Sequence, residues 1–288
     1  MLATSGADVG APRFPELTGN YLGQKPPGRV PEEFAVGIVG GHFNVHSSIV
    51  FSPDGREAYW SESIPPRDSG YGTGRTLASR RDGDRWTYPQ RAMAGSLPLE
   101  DVPVVSADGK KIYDMARRPL QGGSTAGKEN IWVADRTANG WGEPRPLDPV
   151  VNALPQHWQF WVDREGAVYF SSNWKGATGL FRSRLAGGRY AEPESLAGQF
   201  EAARTGEMPF VAPDGGYMLF SKDADLWVSF RGADGRWGSA LSLGAPVNTP
   251  GRESLPVASP DGRYLFFVRG YQVYWVDAGV IEELRLRK

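Results

Sequence analysis

The 288-residue chain contains no cysteine, only three histidines and no long apolar run. The absence of cysteine excludes disulfide bonds, thiolate metal sites and cysteine nucleophiles. No stretch approaches the roughly eighteen consecutive apolar residues that a membrane-spanning helix requires. The first twenty residues also lack the basic start and apolar core of a signal peptide, although a signal could have been removed.

The chain also has no excess of positive or negative charge. The net charge is -1, and charged residues make up 23% of the chain, so nothing indicates a nucleic-acid partner or an anionic membrane surface. Turn-forming residues are abundant, with 37 glycines and 23 prolines, and aromatic residues make up 12%. Many turns combined with many aromatic strand residues favour an all-β protein.

Five similar phrases recur about fifty residues apart. They are VFSPDG, VVSADG, WVDREG, FVAPDG and VASPDG, and they end at glycines 55, 109, 166, 215 and 262. Proline presets its own φ angle, aspartate can bond the backbone two residues on, and glycine adopts the positive φ that closes a hairpin. Each phrase therefore predicts a tight turn between two strands.

A third strand follows in each unit, and a fourth follows in the first four units, most clearly in EPRPLDPVVN and SALSLGAPVN. The unit therefore reads as a four-stranded antiparallel propeller blade. The fifth unit ends at QVYWVDAGVIEELRLRK without a fourth strand, whereas PEEFAVGIVGGHFNVH at residues 31–46 precedes the first phrase. We therefore predict a five-bladed β-propeller in which the N-terminal strand completes the last blade. Residues 1–30 would form an extended lead-in, and residues 31–288 a single propeller domain.

The repeated S-P-D-G-[RK]-x-[LIA]-Y-[FW] phrases resemble the PD40 (WD40-like) repeats of TolB-like propellers. The opening YLGQKPPGRVPEEFAVGIV also resembles the lead-in of a bacterial subgroup of PD40 proteins. This resemblance covers about residues 20–285 and implies the propeller fold, a face that binds a peptide or protein, and an extracytoplasmic location, periplasmic or secreted. It implies nothing about chemistry, because propellers host both scaffolds and enzymes.

One repeat position carries polar residues that should face the central channel. It lies nine residues before each repeat glycine, where the first strand of each blade begins. The residues there are His46, Glu100, His157, Gly206 and Glu253, with Glu207 as the polar neighbour of Gly206 and Asp101 beside Glu100. Two of the three histidines share this position, so propeller symmetry predicts a ring of imidazoles and carboxylates around one channel mouth.

Three interpretations of this ring stay open. His46, His157 and Glu253 could hold a divalent metal such as Zn, Mn, Fe or Ni, for which imidazole and carboxylate are suitable ligands. The whole set, including Glu100 and Glu207, could instead act as metal-free acid–base catalysts. The same residues could also be structural and pair with one another or with ordered water.

The second strands of the blades should end at the same mouth. They supply Glu62, Arg117, Asn173, Trp174, Lys222 and Arg269, and Trp158 adjoins His157. The cations would suit a uronate, sulfate or phosphate group, and the tryptophans could stack on a sugar. The alternative is that these charges are surface groups paired with local acids. Long loops after the second strands of the first two blades would form an asymmetric wall.

Two functions follow from these patterns. The first is a small polar or anionic ligand, such as an acidic saccharide, bound at the channel mouth, with a metal-dependent lyase or hydrolase as its enzymatic form. The second is a non-catalytic, TolB-like protein-interaction propeller. We expect a monomer whose partner is a small molecule or glycan, or a protein, and not a nucleic acid.

Overall fold

The computed structural model describes residues 14–41, 43–64, 73–118, 129–153 and 157–286, without the side chains of residues 73, 157 and 158. Within these ranges, five antiparallel sheets form the blades of a five-bladed propeller, and two short hairpins accompany them. The predicted all-β propeller is therefore confirmed. None of the helices in this part of the chain has the length and apolar character needed to cross a membrane.

Each blade contains an inner, a second and a third strand that follow one another in sequence. The inner strands are Val50–Phe51, Asp101–Val105, His157–Val162, Glu207–Val211 and Glu253–Ala258. The second strands are Glu57–Ile64, Lys111–Ala116, Val168–Ser172, Tyr217–Lys222 and Tyr264–Arg269. The third strands are Thr73–Asp82, Asn130–Thr137, Gly179–Ser183, Asp225–Arg231 and Gln272–Asp277.

The outer strands are shorter and less regular. They are Arg85–Trp86 with Gln90–Arg91, Gly140–Trp141 with Arg145–Pro146, Glu194–Ser195, Trp237–Ser242 and Glu32–Glu33. The accompanying hairpins are Met93–Ala94 with Leu97–Pro98 and Leu185–Ala186 with Arg189–Tyr190. The helices are Pro149–Asn152 and Gly279–Leu286, with 3-10 turns at Tyr21–Gly23, Trp174–Gly176, Leu196–Gly198 and Glu201–Arg204.

The repeated phrase builds the turn between the inner and second strands. In the first blade, the Ser52 hydroxyl donates to Asp54 Oδ1 at 2.6 Å, and the same oxygen accepts the backbone N–H of Arg56 at 3.0 Å. Gly55 has a φ of +67°, in the left-handed region that favours glycine. The serine–aspartate pairs Ser106–Asp108 and Ser259–Asp261 repeat this arrangement. We call this side of the propeller the turn face, and the opposite side, where the inner strands begin, the loop face.

The ring closes through the N-terminal segment, as predicted. Glu32 and Glu33 pair antiparallel with Trp275 and Tyr274 in the third strand of the last blade. Next to them, the Phe34 side chain is 1% exposed and contacts the ring of Trp275, with the ring centroids 4.9 Å apart. The N-terminal segment thus removes an open sheet edge that would otherwise be free to pair with another chain.

The residues before this strand connect the last blade to the first. The Trp86 backbone N–H donates to the Leu17 carbonyl at 2.9 Å, and its indole N–H donates to the Gly19 carbonyl at 2.8 Å. The Tyr21 ring lies edge-on against Phe51 of the first blade and Tyr264 of the last. One continuous segment therefore contacts both sides of the seam between these blades.

The outer strand of the second blade differs from the sequence expectation. The sequence predicts a strand through EPRPLDPVVN, but the strand ends at Pro146, and Pro149–Asn152 forms a helical turn. The Asp148 carboxylate caps this turn, and the Asn152 amide bonds both the N–H and the C=O of Ile131. A proline at the start of a helical turn and a capping aspartate before it are favourable there, which explains the difference.

We predict that Phe34→Ala lowers the free energy of unfolding by about 3–5 kcal/mol, because it removes a fully buried aromatic side chain at the closing strand. Urea unfolding followed by tryptophan fluorescence would measure this. Val36→Ala is the matched control, since Val36 is 67% exposed and its loss should change stability by no more than about 0.5 kcal/mol. Equal effects of the two substitutions would show that the closing strand does not depend on Phe34.

Candidate functional site

The inner strands are irregular near the loop face. Val102, Met208 and Leu255 occupy one repeat position, seven residues before the glycine, and have φ values of +45°, +54° and +56°. The pairing of their strands with the second strands shifts register around this position. A left-handed conformation is uncommon for any residue with a β-carbon and is an outlier for valine. Such bulges redirect the neighbouring side chains, here the predicted ring positions.

The bulge of the second blade brings Asp101 to His46 of the first blade. Asp101 Oδ2 forms a very short hydrogen bond with His46 Nδ1, and Asp101 Oδ1 accepts the backbone N–H of Val102 at 2.9 Å. The His46 backbone N–H donates to the Ser61 carbonyl at 2.7 Å. Hydrogen bonds therefore fix both the main chain and the ring of His46. Its Nε2 makes no hydrogen bond within the described residues.

This pairing changes the protonation of His46. The hydrogen bond that His46 donates to Asp101 and the negative charge of that carboxylate raise the pKa of His46, against an opposing effect of burial. Glu129 raises this pKa further and Arg117 lowers it. The imidazole side chain is 47% exposed, whereas the Asp101 side chain is 13% exposed. A protonated His46 would therefore present its Nε2–H to solvent at the loop face.

Glu100 lies next to this pair but is held within its own blade. Its Oε2 accepts the backbone N–H of Arg117 at 3.1 Å, and its Oε1 lies 3.7 Å from the Arg118 guanidinium. Arg118 is mainly engaged by the buried Asp114, at 2.7 Å. The structure thus brings His46, Asp101 and Glu100 to the same part of the loop face, between the first and second blades.

Glu253 and Glu207 lie apart from this group, in the last two blades. Glu253 is fully buried, and its Oε1 accepts from Arg269 Nε at 2.8 Å and from Thr249 Oγ1 at 2.6 Å. Its Oε2 accepts the Thr249 backbone N–H at 3.2 Å. Glu207 is 44% exposed and lies 3.8 Å from Arg252. Within the described ranges, no hydrogen bond or ion pair connects either carboxylate to His46.

The metal hypothesis finds little support in these contacts. Both oxygens of Glu253 are occupied by protein groups, so this residue does not suit a metal. Among the residues that the structure describes, no group of three or more histidine or acidic side chains could hold an ion. The backbone of His157 begins the third inner strand at the loop face, but its side chain and that of Trp158 lie outside the description. Their predicted roles stay predictions.

The cations predicted to bind an anion are already paired with acids. These pairs are Arg117–Glu129, Lys222–Asp223 and Arg269–Glu253. The predicted acid Glu62 is buried and pairs with Arg75. Trp174 packs edge-on against Phe181, and the Lys175 ammonium lies 4.0 Å from the centre of its ring, while Asn173 is exposed. The long loops expected beside the mouth, at residues 65–72 and 119–128, lie outside the described residues.

Asp101 is the residue whose importance the sequence did not reveal. It was visible only as the neighbour of Glu100, and strand alternation would place just one of the two on a given face. The bulge at Val102 decides that Asp101 reaches across to the first blade. A bulge of this kind could be suspected from the repeat alignment only by comparing all five inner strands.

No family model and no curated protein matches the chain. Several solved structures are similar in fold. A periplasmic gluconolactonase from Pseudomonas aeruginosa shares 16% identity with a TM-score of 0.42, covering 77% of this chain and 64% of its own. TolB from Acinetobacter baumannii shares 15% identity with a TM-score of 0.47, covering 79% of this chain and 53% of its own.

A gluconolactonase from Xanthomonas campestris shares 14% identity with a TM-score of 0.46, over 92% of this chain and 98% of that one. The present chain spans less than two thirds of the length of the Pseudomonas and Acinetobacter proteins. The resemblance of the repeats to TolB-like propellers is confirmed in the fold, which the five blades themselves show. These likenesses concern the fold and do not extend to ligand or reaction.

We predict that Asp101→Asn lowers the pKa of His46 towards the value of about 6.5 for an unperturbed histidine. An NMR titration of the imidazole measures this directly. Because folding raises this pKa, the stability that the pair contributes is complete below about pH 6.5 and is lost as the pH rises through the folded-state value. Urea unfolding of the wild type and the variant across this range would show their difference shrinking.

Glu100→Gln is the matched control for this titration, because it removes the adjacent carboxylate without touching the hydrogen bond to His46. A decrease of the His46 pKa in this variant as large as in Asp101→Asn would contradict the assignment.

A second prediction concerns the loop-face carboxylates Glu253 and Glu207 of the last two blades. Glu253→Gln should lower the free energy of unfolding by about 3 kcal/mol, because it leaves the Arg269 guanidinium without its buried partner. Glu207→Gln, at the neighbouring repeat position but exposed, should change it by no more than about 0.5 kcal/mol. Chemical denaturation of both variants provides the comparison. A free energy of unfolding that is unchanged in Glu253→Gln would mean that this buried pair does not stabilise the fold.

Proposed function

We propose that the protein binds a small polar or anionic ligand at the loop face between the first two blades. The observation that carries this proposal is the His46–Asp101 pair, in which Nδ1 is fixed by the carboxylate while Nε2 lies on a half-exposed ring. A histidine oriented in this way is the usual form of a general acid–base group. A purely structural histidine would more often have both nitrogens satisfied.

The two protonation states of His46 would serve different steps. The protonated ring offers an Nε2–H to a carboxylate or to a developing oxyanion, and the neutral ring accepts a proton at the same atom. Asp101 is the positioning residue, because it keeps the neutral ring in the tautomer that leaves Nε2 without a proton. In a lyase acting on an acidic saccharide, the neutral imidazole would remove the proton next to the uronate carboxylate.

The surrounding charges favour a ligand that carries its own polar groups. Arg117 and Glu129 are one third or more exposed, and their ion pair contributes little net attraction across water, so a uronate could displace Glu129 from Arg117. Arg269 is different, because its partner Glu253 is buried and would be costly to separate. Arg117 is therefore the cation that we assign to the ligand, with Lys222 and Arg269 left to the framework.

The second candidate is a non-catalytic, TolB-like interaction propeller, and one observation favours it. The predicted ligand-binding cations are neutralised by local acids, as in a surface that has no anionic ligand. For either function we propose a monomer in an extracytoplasmic compartment. A protein partner would then replace the small ligand, and His46 would contribute only to folding or to the interface.

The deciding experiment is an NMR titration of the His46 ring with oligogalacturonate and with neutral galactose oligomers. We expect the acidic oligomers to shift the His46 resonance and the neutral ones to leave it in place. Binding should weaken about tenfold in Arg117→Gln, which removes one charge-assisted contact. Arg204→Gln is the matched control, because Arg204 is also an exposed arginine paired with an acid, Glu201, but belongs to another blade. This variant should bind like the wild type.

Turnover is measured in parallel, by the absorbance of the unsaturated product that a uronate lyase releases. Formation of this product by the wild type and its loss in His46→Gln would support the enzymatic form. Binding without turnover would leave a ligand-binding protein. The absence of any shift of His46 with either set of oligomers would overturn the ligand proposal in favour of the interaction module.

A further inference from the structure

The opposite end of the central channel contains an apolar cavity that the proposed function does not use. It has a volume of about 110 Å³ and lies at the turn face, where the inner strands of all five blades end. One ring of its lining comes from the position four residues before each repeat glycine. These residues are Phe51, Val105, Val162, Val211 and Ala258, and all are buried.

The rim of the cavity is formed by the position two residues before each glycine. The residues there are Pro53, Ala107, Arg164, Pro213 and Pro260. Four of the five blades therefore place an apolar residue at the rim, and only the third places a cation there. Arg164 is exposed, and within the described residues its guanidinium forms no ion pair or hydrogen bond.

One acid also lines the cavity but is occupied by the local turn. Asp163 Oδ1 accepts the backbone N–H groups of Glu165 and Ala167, each at 2.9 Å. It replaces the serine that closes the same turn in the first, second and last blades. Burial raises the pKa of Asp163, and the two backbone N–H groups that it accepts lower this pKa in part. Arg164 is then the charged group at this mouth that is free to meet a ligand.

We propose that this cavity binds a small carboxylic acid with a compact apolar group, whose carboxylate pairs with Arg164. The apolar group would fill the space between the five inner strands, because the transfer of apolar surface out of water is favourable. Apolar cavities of about 150 Å³ accept benzene. This cavity, of about 110 Å³, is smaller and suits a short branched chain or a single ring whose carboxylate end stays at the rim. The planar guanidinium matches the geometry of a carboxylate and would set the orientation of the ligand.

This site is separate from the His46 site. Four of the five inner strands have five or six residues and lie between the two mouths, and each residue of a strand spans about 3.3 Å. A ligand at the turn face would therefore be roughly 15 Å or more from the loop face. Failure of one proposal leaves the other untouched, because they depend on different residues and different probes.

The test uses benzoate as the probe and benzyl alcohol as its uncharged counterpart. Both are titrated to about 20 mM into protein with labelled valine methyl groups, since a ligand of this size binds at roughly millimolar concentration. We expect benzoate to shift the methyl signals of Val105, Val162 and Val211 and to bind about tenfold more tightly than benzyl alcohol.

Three variants identify the contacts. Arg164→Gln should reduce benzoate affinity to that of benzyl alcohol, whereas Arg189→Gln, an exposed arginine in the outer hairpin of the same blade, should leave it unchanged. Ala107→Phe should block both probes, and Ala107 is exposed, so this change does not crowd the core. Absence of binding, equal affinity for both probes, or benzoate binding that survives Arg164→Gln would each overturn the proposal.

Discussion

The closing contact between the N-terminal segment and the last blade is the constraint on which the ring depends. Glu32 and Glu33 pair with the last third strand, and Phe34 and Gly28 add one backbone hydrogen bond each, so the backbone pairing that closes the ring is short. The aromatic cluster behind this strand, in which Phe34 and Tyr21 meet Phe266 and Trp275, adds the buried area that such a short strand lacks. Burial of aromatic side chains is the larger contribution, since each removes extensive apolar surface from water.

The two mouths of the channel differ in character. At the turn face, five short turns of similar sequence end the inner strands, so the lining is regular and apolar except at Asp163 and Arg164. At the loop face, bulges at Val102, Met208 and Leu255 break the regularity, and acids and bases meet across neighbouring blades. A regular frame with one irregular face is a common arrangement in proteins whose loops carry function.

Polar groups inside the propeller are mostly neutralised where they lie. Glu253 with Arg269 and Asp114 with Arg118 are buried pairs, and each acid receives additional hydrogen bonds that offset part of the cost of removing it from water. Arg136 of the second blade similarly bonds both oxygens of Glu57 in the first. Against this background, His46 differs: one ring nitrogen is fixed, and the other has no partner among the described residues, which indicates a role beyond folding.

The sequence by itself determined the blade count, the turn chemistry and the source of the closing strand. Each of these depends on local rules: the φ preference of Gly55, the capping bond of Asp54, and a repeat with a strand missing at one end and present at the other. Only the tertiary structure decided which residues of the polar ring meet. The ring position of His46 and Glu253 is the same, yet one faces solvent beside Asp101 and the other is buried against Arg269. Bulges and neighbouring blades produce that difference, and they act between residues far apart in the chain, where repeat symmetry carries no information.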